Sequence, residues 1–298
     1  MSAPVCPVCG STKATVYVRG RGHALTREAF GQSRTDVSIS DVLRCGACGL
    51  GYSRSRPSEA ELAELYRTMD VTAYESEAPG RWISARSCLE ILTRRYSRPP
   101  GRLLEVGCAS GRFLSLAAER GWRPVGIEPS SVLCREARER LNGRGEILES
   151  TLEAASLPPA SFDAVAMWDV LEHVPDPVGL LRQAASLLDR NGLLLLDVPD
   201  IASLPARLLG RRWPLLLPEH LNYFTRASLL RAAESAGLRH VWYGRRRAAF
   251  TLRYVLRRLS QHHIPGTAAL GRACADTRAG NLILPMYMGE LCAVFLKP

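Results

Sequence analysis

The chain has 298 residues, enough for one full α/β domain with an appendage or for two modest domains. Hydrophobic residues make up 46% and charged residues 23%, the balance of a packed globule, and no apolar run approaches the roughly 20 residues of a membrane span. The formal charge of +10 invites a nucleic-acid reading, but only Lys13 and Lys297 are lysine among 39 basic residues, a skew that fits codon usage better than a phosphate-binding surface built from both cations.

The chain opens Met1-Ser2-Ala3-Pro4 and reaches a cysteine pair at once, which leaves no room for a secretory signal and makes a cytoplasmic protein the expectation. Cys6 and Cys9, then Cys45 and Cys48, form two Cys-x-x-Cys knuckles, each followed by glycine. That spacing predicts a zinc ribbon over residues 1–55, with four thiolates closing a structural Zn2+ site in a segment too small to hold itself together. Two redox pairs are the rival reading, and His23 is a competing ligand. The five remaining cysteines, Cys88, Cys108, Cys134, Cys274 and Cys292, read as small buried hydrophobes.

A helical linker or lid is expected over 56–99. Pro57-Ser58-Glu59 opens a first helix running to about Met69, and Ala78-Pro79-Gly80 links to a second in which Trp82, Ala85, Leu89, Leu92 and Tyr96 recur at helical spacing. Pro99-Pro100-Gly101 marks the start of the main domain, 100–298. From there strand and helix alternate. Strands are predicted at 103–106, 124–128, 145–149, 163–168 and 193–197, and helices at 112–119, 130–141 and 177–189, the last capped by Asn191-Gly192. A helix over 225–236 and two last strands, 238–243 and 290–296, follow, with an insertion at about 247–288 that is helix-like over 249–259. This cadence predicts an α/β fold: a Rossmann-like, seven-stranded, mostly parallel sheet with helices on both faces, preceded by the small ribbon.

In such a sheet, ligands bind beyond the carboxyl ends of the strands, where strand order reverses. Glu105, Gly107, Cys108, Ala109 and Gly111 occupy that place after the first strand, and the two glycines are expected to let backbone approach a ligand. Glu128 ends the second strand, where an acid would hold ribose hydroxyls, with Pro129 beside it. Thr151 and Leu152 follow the third strand, at the nucleobase edge. Trp168, Asp169, Glu172 and His173 follow the fourth.

Taken together, Glu105-x-Gly107-x-x-x-Gly111, Glu128, Phe162-Asp163-Ala-Val165, Glu172-His173-Val-x-Asp176-Pro177 and Leu187-Leu188-x-x-x-Gly192 resemble the class I, Rossmann-like, S-adenosylmethionine-dependent methyltransferases. A narrower resemblance, carried by Arg44–Tyr52, Pro57–Leu62, Pro218–Thr225 and Leu284–Glu290, is to bacterial methyltransferases with a zinc ribbon that act on sugars or natural products. The resemblance implies S-adenosylmethionine as cofactor and a small-molecule partner, a sugar or secondary metabolite methylated on carbon or oxygen, nucleotide-linked in some members. In the family, an acid at Glu105 supports the methionine end of the cofactor. His173 and His220 are the candidate bases, with Glu172 bracing the loop and Tyr223 beside His220. Trp168 either stacks on adenosine or packs the core, Tyr74 and Arg81 are placed over the cofactor's carboxylate, and Trp213 wedges a loop. An RNA methyltransferase gripping phosphates with ribbon and arginines, and a cofactor-binding scaffold without turnover, are the alternatives. Nucleic acid is disfavoured as partner, and no membrane partner is expected.

Overall fold

Apolar runs flanked by glycine and proline pair side by side in the computed structural model, which describes residues 4–20, 39–67, 78–261, 265–274 and 277–298. Two sheets result. The N-terminal one holds β1 (Ala14–Val18), β2 (Val42–Cys45), β3 (Gly51–Ser53) and, from far along the chain, β9 (Asn222–Tyr223), in that order and antiparallel throughout. The main sheet has seven strands: β4 (Arg102–Val106), β5 (Arg123–Glu128), β6 (Glu146–Glu149), β7 (Phe162–Met167), β8 (Leu188–Pro199), β10 (Arg239–Thr251) and β11 (Ile283–Leu296). Their order is β10-β11-β8-β7-β4-β5-β6, with β4 to β8 mutually parallel and β11 antiparallel to both its neighbours. The chain moves outward from β4 through β5 to β6, then returns to place β7 on the other side of β4. The reversal therefore lies between the ends of β4 and β7, where a crevice opens.

The central strands are buried on both faces because helices cover each one. Leu104, Val106, Val165, Met167, Leu194 and Leu196 face one core, and Leu103, Ala164, Ala166, Leu193 and Leu195 the other. The alternation reflects the period-two geometry of a strand. The first core runs without a break into Cys6, Leu43, Leu50 and Tyr52 of the N-terminal segment.

Nine helices appear among the described residues: α1 (Glu59–Arg67), α2 (Ala78–Arg95), α3 (Arg112–Ala118), α4 (Ser131–Leu141), α5 (Pro177–Leu187), α6 (Leu204–Leu209), α7 (Arg226–Ser235), α8 (Leu252–Gln261) and α9 (Thr267–Cys274). Local chemistry sets their starts. The Ser130 hydroxyl accepts from Leu133 N–H, Asp176 accepts from Gly179 N–H ahead of Pro177, and Thr225 forms a capping box with Ser228. Ser58 and Glu61 reciprocate in the same way at α1. Among the described residues no helix is long and apolar enough to cross a membrane.

Three boundaries differ from expectation. Ala78-Pro79-Gly80 is the first turn of α2 rather than a link, since proline is tolerated where no N–H is needed. Helix α5 ends at Leu187, and Asn191-Gly192 lies inside β8, where the pairing with β7 slips between Phe162 and Ala164. Asn191 takes a left-handed φ of 63° there, a backbone state also used by helix caps. Finally, β10 and β11 do not stop at Tyr243 and begin at Glu290. They run on as a long hairpin in which Ala248–Thr251 pairs with Ile283–Met286, and α8 starts only at Leu252. The exposed arginines of β10 hid that strand from a hydrophobic pattern search.

Candidate active site

A cavity of about 970 Å³ lies at the switch point, bounded by the loops after β4, β5, β6 and β7 and by the hairpin β10–β11. Its size suits a nucleoside-sized ligand and a second molecule together. Glu105, Gly107, Cys108, Ala109, Glu128, Pro129, Thr151, Leu152, Trp168, Asp169, His173 and His220 line it, as does Arg81. Gly111, Glu172 and Tyr223 do not. Tyr74 and His23 fall outside the described residues.

The loop after β4 is tied to the next strand. Gly107 N–H and Cys108 N–H both donate to Ile127 O, at 2.8 and 3.0 Å. Gly107 has φ +70°, and a Cβ there would sit 2.8 Å from Val170 Cγ2, so the turn demands glycine twice over. Gly111 also has a packing role: a Cβ on it would stand 3.0 Å from Ala137 Cβ, so it lets α3 approach α4.

Two buried carboxylates flank this loop and differ in their partners. Glu128 Oε2 accepts from Ala109 N–H at 3.0 Å and Oε1 from Ser130 N–H at 2.9 Å. Burial pushes Glu128 up to about 7, against the pull of those two N–H groups. Glu105 is also buried, and its Oε2 has no hydrogen-bond partner. Burial, with Glu128 adding to it, holds Glu105 well above the ordinary carboxylate range. A buried oxygen without a partner on a cavity wall fits a cationic ligand group, which would supply the missing donor. Trp168 stands edge-on to Phe113, ring centroids 5.7 Å apart, with a buried and unpartnered Nε1 on the same wall.

After β7 the backbone twists. Asp169 adopts φ +55°, donating its N–H to Asp197 at 2.9 Å, while its carboxylate accepts from Arg246 at 2.7 Å. Arg246, from β10, also pairs with the fully buried Asp197. Burial opposes ionisation of Asp169, but Arg246 and then Arg81 outweigh it and hold it below the ordinary range. Asp197, more deeply placed, is pushed up to about 7 by burial despite Arg246. This four-residue arrangement escaped the sequence reading, because Arg246 sits in an arginine run that looks like a solvated strand end.

His173 and His220 meet on the cavity wall, ring centroids 4.8 Å apart and steeply inclined to each other. His173 Nδ1 lies 3.0 Å from Glu219 O and His220 Nδ1 2.8 Å from Leu215 O. A carbonyl only accepts, so each ring donates from Nδ1 and keeps its lone pair on Nε2. Burial lowers both, His220 to about 3 with His173 as the second cause. Glu172, His173 and His220 also present ligand atoms within 4.8 Å of one another, a spacing that admits a divalent cation.

The neighbours expected to assist are structural. Tyr223 is buried in β9, its hydroxyl donating to Leu217 O at 3.3 Å. Asn222 is buried too, its amide donating to Leu171 O and Val174 O, while Glu172 O accepts from both Leu221 and Asn222 N–H. Arg56, at the exit of the N-terminal sheet, adds bonds to Leu221 O, Pro175 O and Asn222 Oδ1. Trp213 ties its loop to the hairpin, donating from Nε1 to Met288 O at 2.7 Å.

At the N-terminus the four expected cysteines converge. Cys6 and Cys48 Sγ lie 3.6 Å apart, Cys9 and Cys45 Sγ 3.5 Å apart, all four within 4.8 Å of one another and none in a disulfide. Thiolates at about 2.3 Å from a tetrahedral ion stand roughly 3.8 Å apart, so the cluster fits zinc.

A family model described as a methyltransferase domain matches residues 74–242, more than half the chain. The chain belongs to that family, and its sheet is the class I, S-adenosylmethionine-dependent methyltransferase fold. The ubiquinone biosynthesis O-methyltransferase of Xanthomonas campestris pv. campestris (strain B100) is 34% identical over 113 residues, 37% of this chain and 47% of that one. The chain thus spans about half the length of the curated relatives it matches. Among solved structures, the complex of the Haloferax volcanii Trm112 methyltransferase activator with a methyltransferase contains a chain similar at TM-score 0.57 and 16% identity, covering 78% of this chain and 97% of that one. The phosphoethanolamine N-methyltransferase 2 of Haemonchus contortus, in complex with S-adenosyl-L-methionine, is similar at TM-score 0.51 and 15% identity, covering 83% and 62%.

Proposed function

We propose that this chain transfers a methyl group from S-adenosylmethionine to an oxygen or carbon atom of a small-molecule acceptor, a sugar or a secondary metabolite. The observation that carries the reading is one cavity lined both by an unpartnered buried carboxylate, Glu105, and by two neutral imidazoles. Glu105 would hold the amino group of the cofactor's methionine end. Glu128, whose oxygens each keep a free lone pair, would take the ribose hydroxyls, and Trp168, Thr151 and Leu152 would wall the adenine. When bound, that cofactor supplies an electrophilic methyl carbon on a sulfonium.

The chain's own part is positioning and proton removal. As the acceptor's oxygen or carbon attacks, the proton it sheds passes to Nε2 of His173 or His220. With rings in contact, the pair takes up one proton as a unit and resists a second. The O-methyltransferase relative favours an oxygen acceptor, and the resemblance of Pro218–Thr225 to sugar-modifying enzymes keeps carbon in play. The proposed domains are a zinc ribbon over 1–55, with Cys6, Cys9, Cys45 and Cys48 holding a structural Zn2+, a helical lid over 56–99 and the catalytic domain from 100 on.

Titration calorimetry with S-adenosylhomocysteine tests the cofactor half. Burial raises the Glu105 carboxyl and an ammonium beside it would lower it again, so a proton released on binding would make the measured enthalpy vary with the buffer's ionisation enthalpy. Glu105→Gln should abolish that variation and weaken binding by about 1.5–3 kcal/mol, roughly ten- to a hundredfold. Wild-type protein that takes up no S-adenosylhomocysteine would sink the whole reading.

A further inference from the structure

Two stretches of this chain account for its entire net charge. Residues 204–217 and 245–289 together carry 11 arginines and one acid, Asp276, leaving 28 basic and 28 acidic residues in the rest of the chain. The same stretches hold five of the eight large hydrophobic side chains that stand exposed among the described residues: Leu204, Leu208, Leu209, Leu270 and Leu282. Arg246 is buried in its pairs with Asp169 and Asp197, but the other ten arginines and these leucines still concentrate in the same two stretches.

They are densest around α6. Leu204 and Leu208 are 65% and 74% exposed and sit one turn apart, with Leu209 beside them. Arg207, Arg211 and Arg212 are exposed within the same nine residues, and no acid lies between Leu204 and Leu217. The anchoring is firm beneath. Ala206 is buried, Ser203 caps the helix, and Trp213 bonds to Met288 O. The leucines are therefore held outward by a fixed backbone.

This edge opens on the cavity. Leu209 and Arg257 are both exposed and both line it, joined on its wall by Pro205, Leu215, Val255 and Met288. These side chains give the cavity wall an apolar stretch, continuous with Leu217, Ala248, Ala249, Phe250 and Met286.

We infer that the α6 segment, 204–212, together with the arginine-rich end of the β10–β11 hairpin, docks on an anionic lipid surface, so that the apolar stretch of the cavity wall faces the bilayer. Arginines alone would serve any polyanion. Exposed leucines interleaved with them are of no use to a phosphate backbone, whereas a lipid surface takes both, the guanidinium groups at the headgroups and the leucines at the acyl boundary. The expectation of no membrane partner rested on the lack of a spanning segment, and surface docking needs none. An acceptor with an apolar body could then enter directly from the lipid. Docking itself is independent of methyl transfer and is read without cofactor.

The test is co-sedimentation of the full-length protein with phosphatidylcholine vesicles, with and without phosphatidylglycerol. Binding is expected only with phosphatidylglycerol and should weaken with added salt. Arg211→Glu with Arg212→Glu should lower the partition coefficient by roughly fivefold or more for each arginine removed. Leu204→Asp with Leu208→Asp should lower it at least tenfold, while S-adenosylhomocysteine affinity and melting temperature stay at wild-type values. Arg120→Glu with Arg123→Glu, exposed on a turn and at the start of β5 in the charge-balanced remainder, should change nothing. Failure to sediment with anionic vesicles, or equal binding to pure phosphatidylcholine, overturns the inference. So does a leucine variant that binds like wild type and is displaced by RNA or polyglutamate, which would mark the surface as a polyanion or acidic-protein site.

Discussion

Glu105 and Glu128 show how two carboxylates a strand apart acquire different tasks. Glu128 spends one lone pair of each oxygen on loop N–H groups and fixes the turn, whereas Glu105 keeps an oxygen with nothing to hold. Between them Gly107 cannot be replaced without strain. Gly107→Val would need a φ that valine avoids and would push into Val170, so binding of S-adenosylhomocysteine should fall below detection while the far-UV circular dichroism is retained. The histidines carry a second prediction. His220 titrates near 6.5 when unfolded but near 3 in the fold, so the unfolded state binds the extra proton first. Its contribution to stability is whole above pH 6.5 and is lost as pH falls, by roughly 2 kcal/mol between pH 6.5 and 5. Denaturant titrations at those two pH values should show the loss in wild type and a smaller one in His220→Gln.

At the level of elements, the hairpin β10–β11 and the small strand β9 do work that the pattern of the chain conceals. Arg246 reaches from β10 to pair with Asp169 on the cavity wall and with the buried Asp197 behind it. Arg246→Met would leave the buried Asp197 without its cation, at a cost of about 3–5 kcal/mol, seen as a lowered denaturation midpoint. Strands β4 to β8 were legible in sequence because each is a short apolar run after a turn signal. The hairpin's outer half was not, since three arginines in a row, Arg245 to Arg247, precede Ala248 and Ala249, and pairing with β11 rather than an apolar alternation fixes them. Likewise, the cofactor loops were legible from glycine and acid spacing, yet the packing role of Gly111 and the burial of Tyr223 were not, because which side of a residue faces a void depends on packing by α4 and β3.

For the molecule as a whole, the N-terminal cysteines and the imidazoles belong to one connected piece. The thiol cluster sits at the end of a core shared with the main sheet, and Arg56 and β9 bridge from it to the loop bearing His173. Zinc on purified protein should measure near one atom per chain. Cys45→Ser should reduce that content and lower the melting temperature of the whole chain in a single transition, since no boundary isolates the ribbon. A separate early transition, with the main sheet melting unchanged, would contradict this. The net charge of the sequence falls in two stretches, 204–217 and 245–289, and both of them contribute residues to the cavity wall.

The pairing of Gly51 with Tyr223 has one more consequence, for the order in which the protein can be made. As the ribosome releases the first fifty-odd residues, the edge of β3 has no partner, and none exists until some 170 residues later. A nascent chain must therefore carry that open strand edge through more than half of its synthesis, until β9 emerges to cover it.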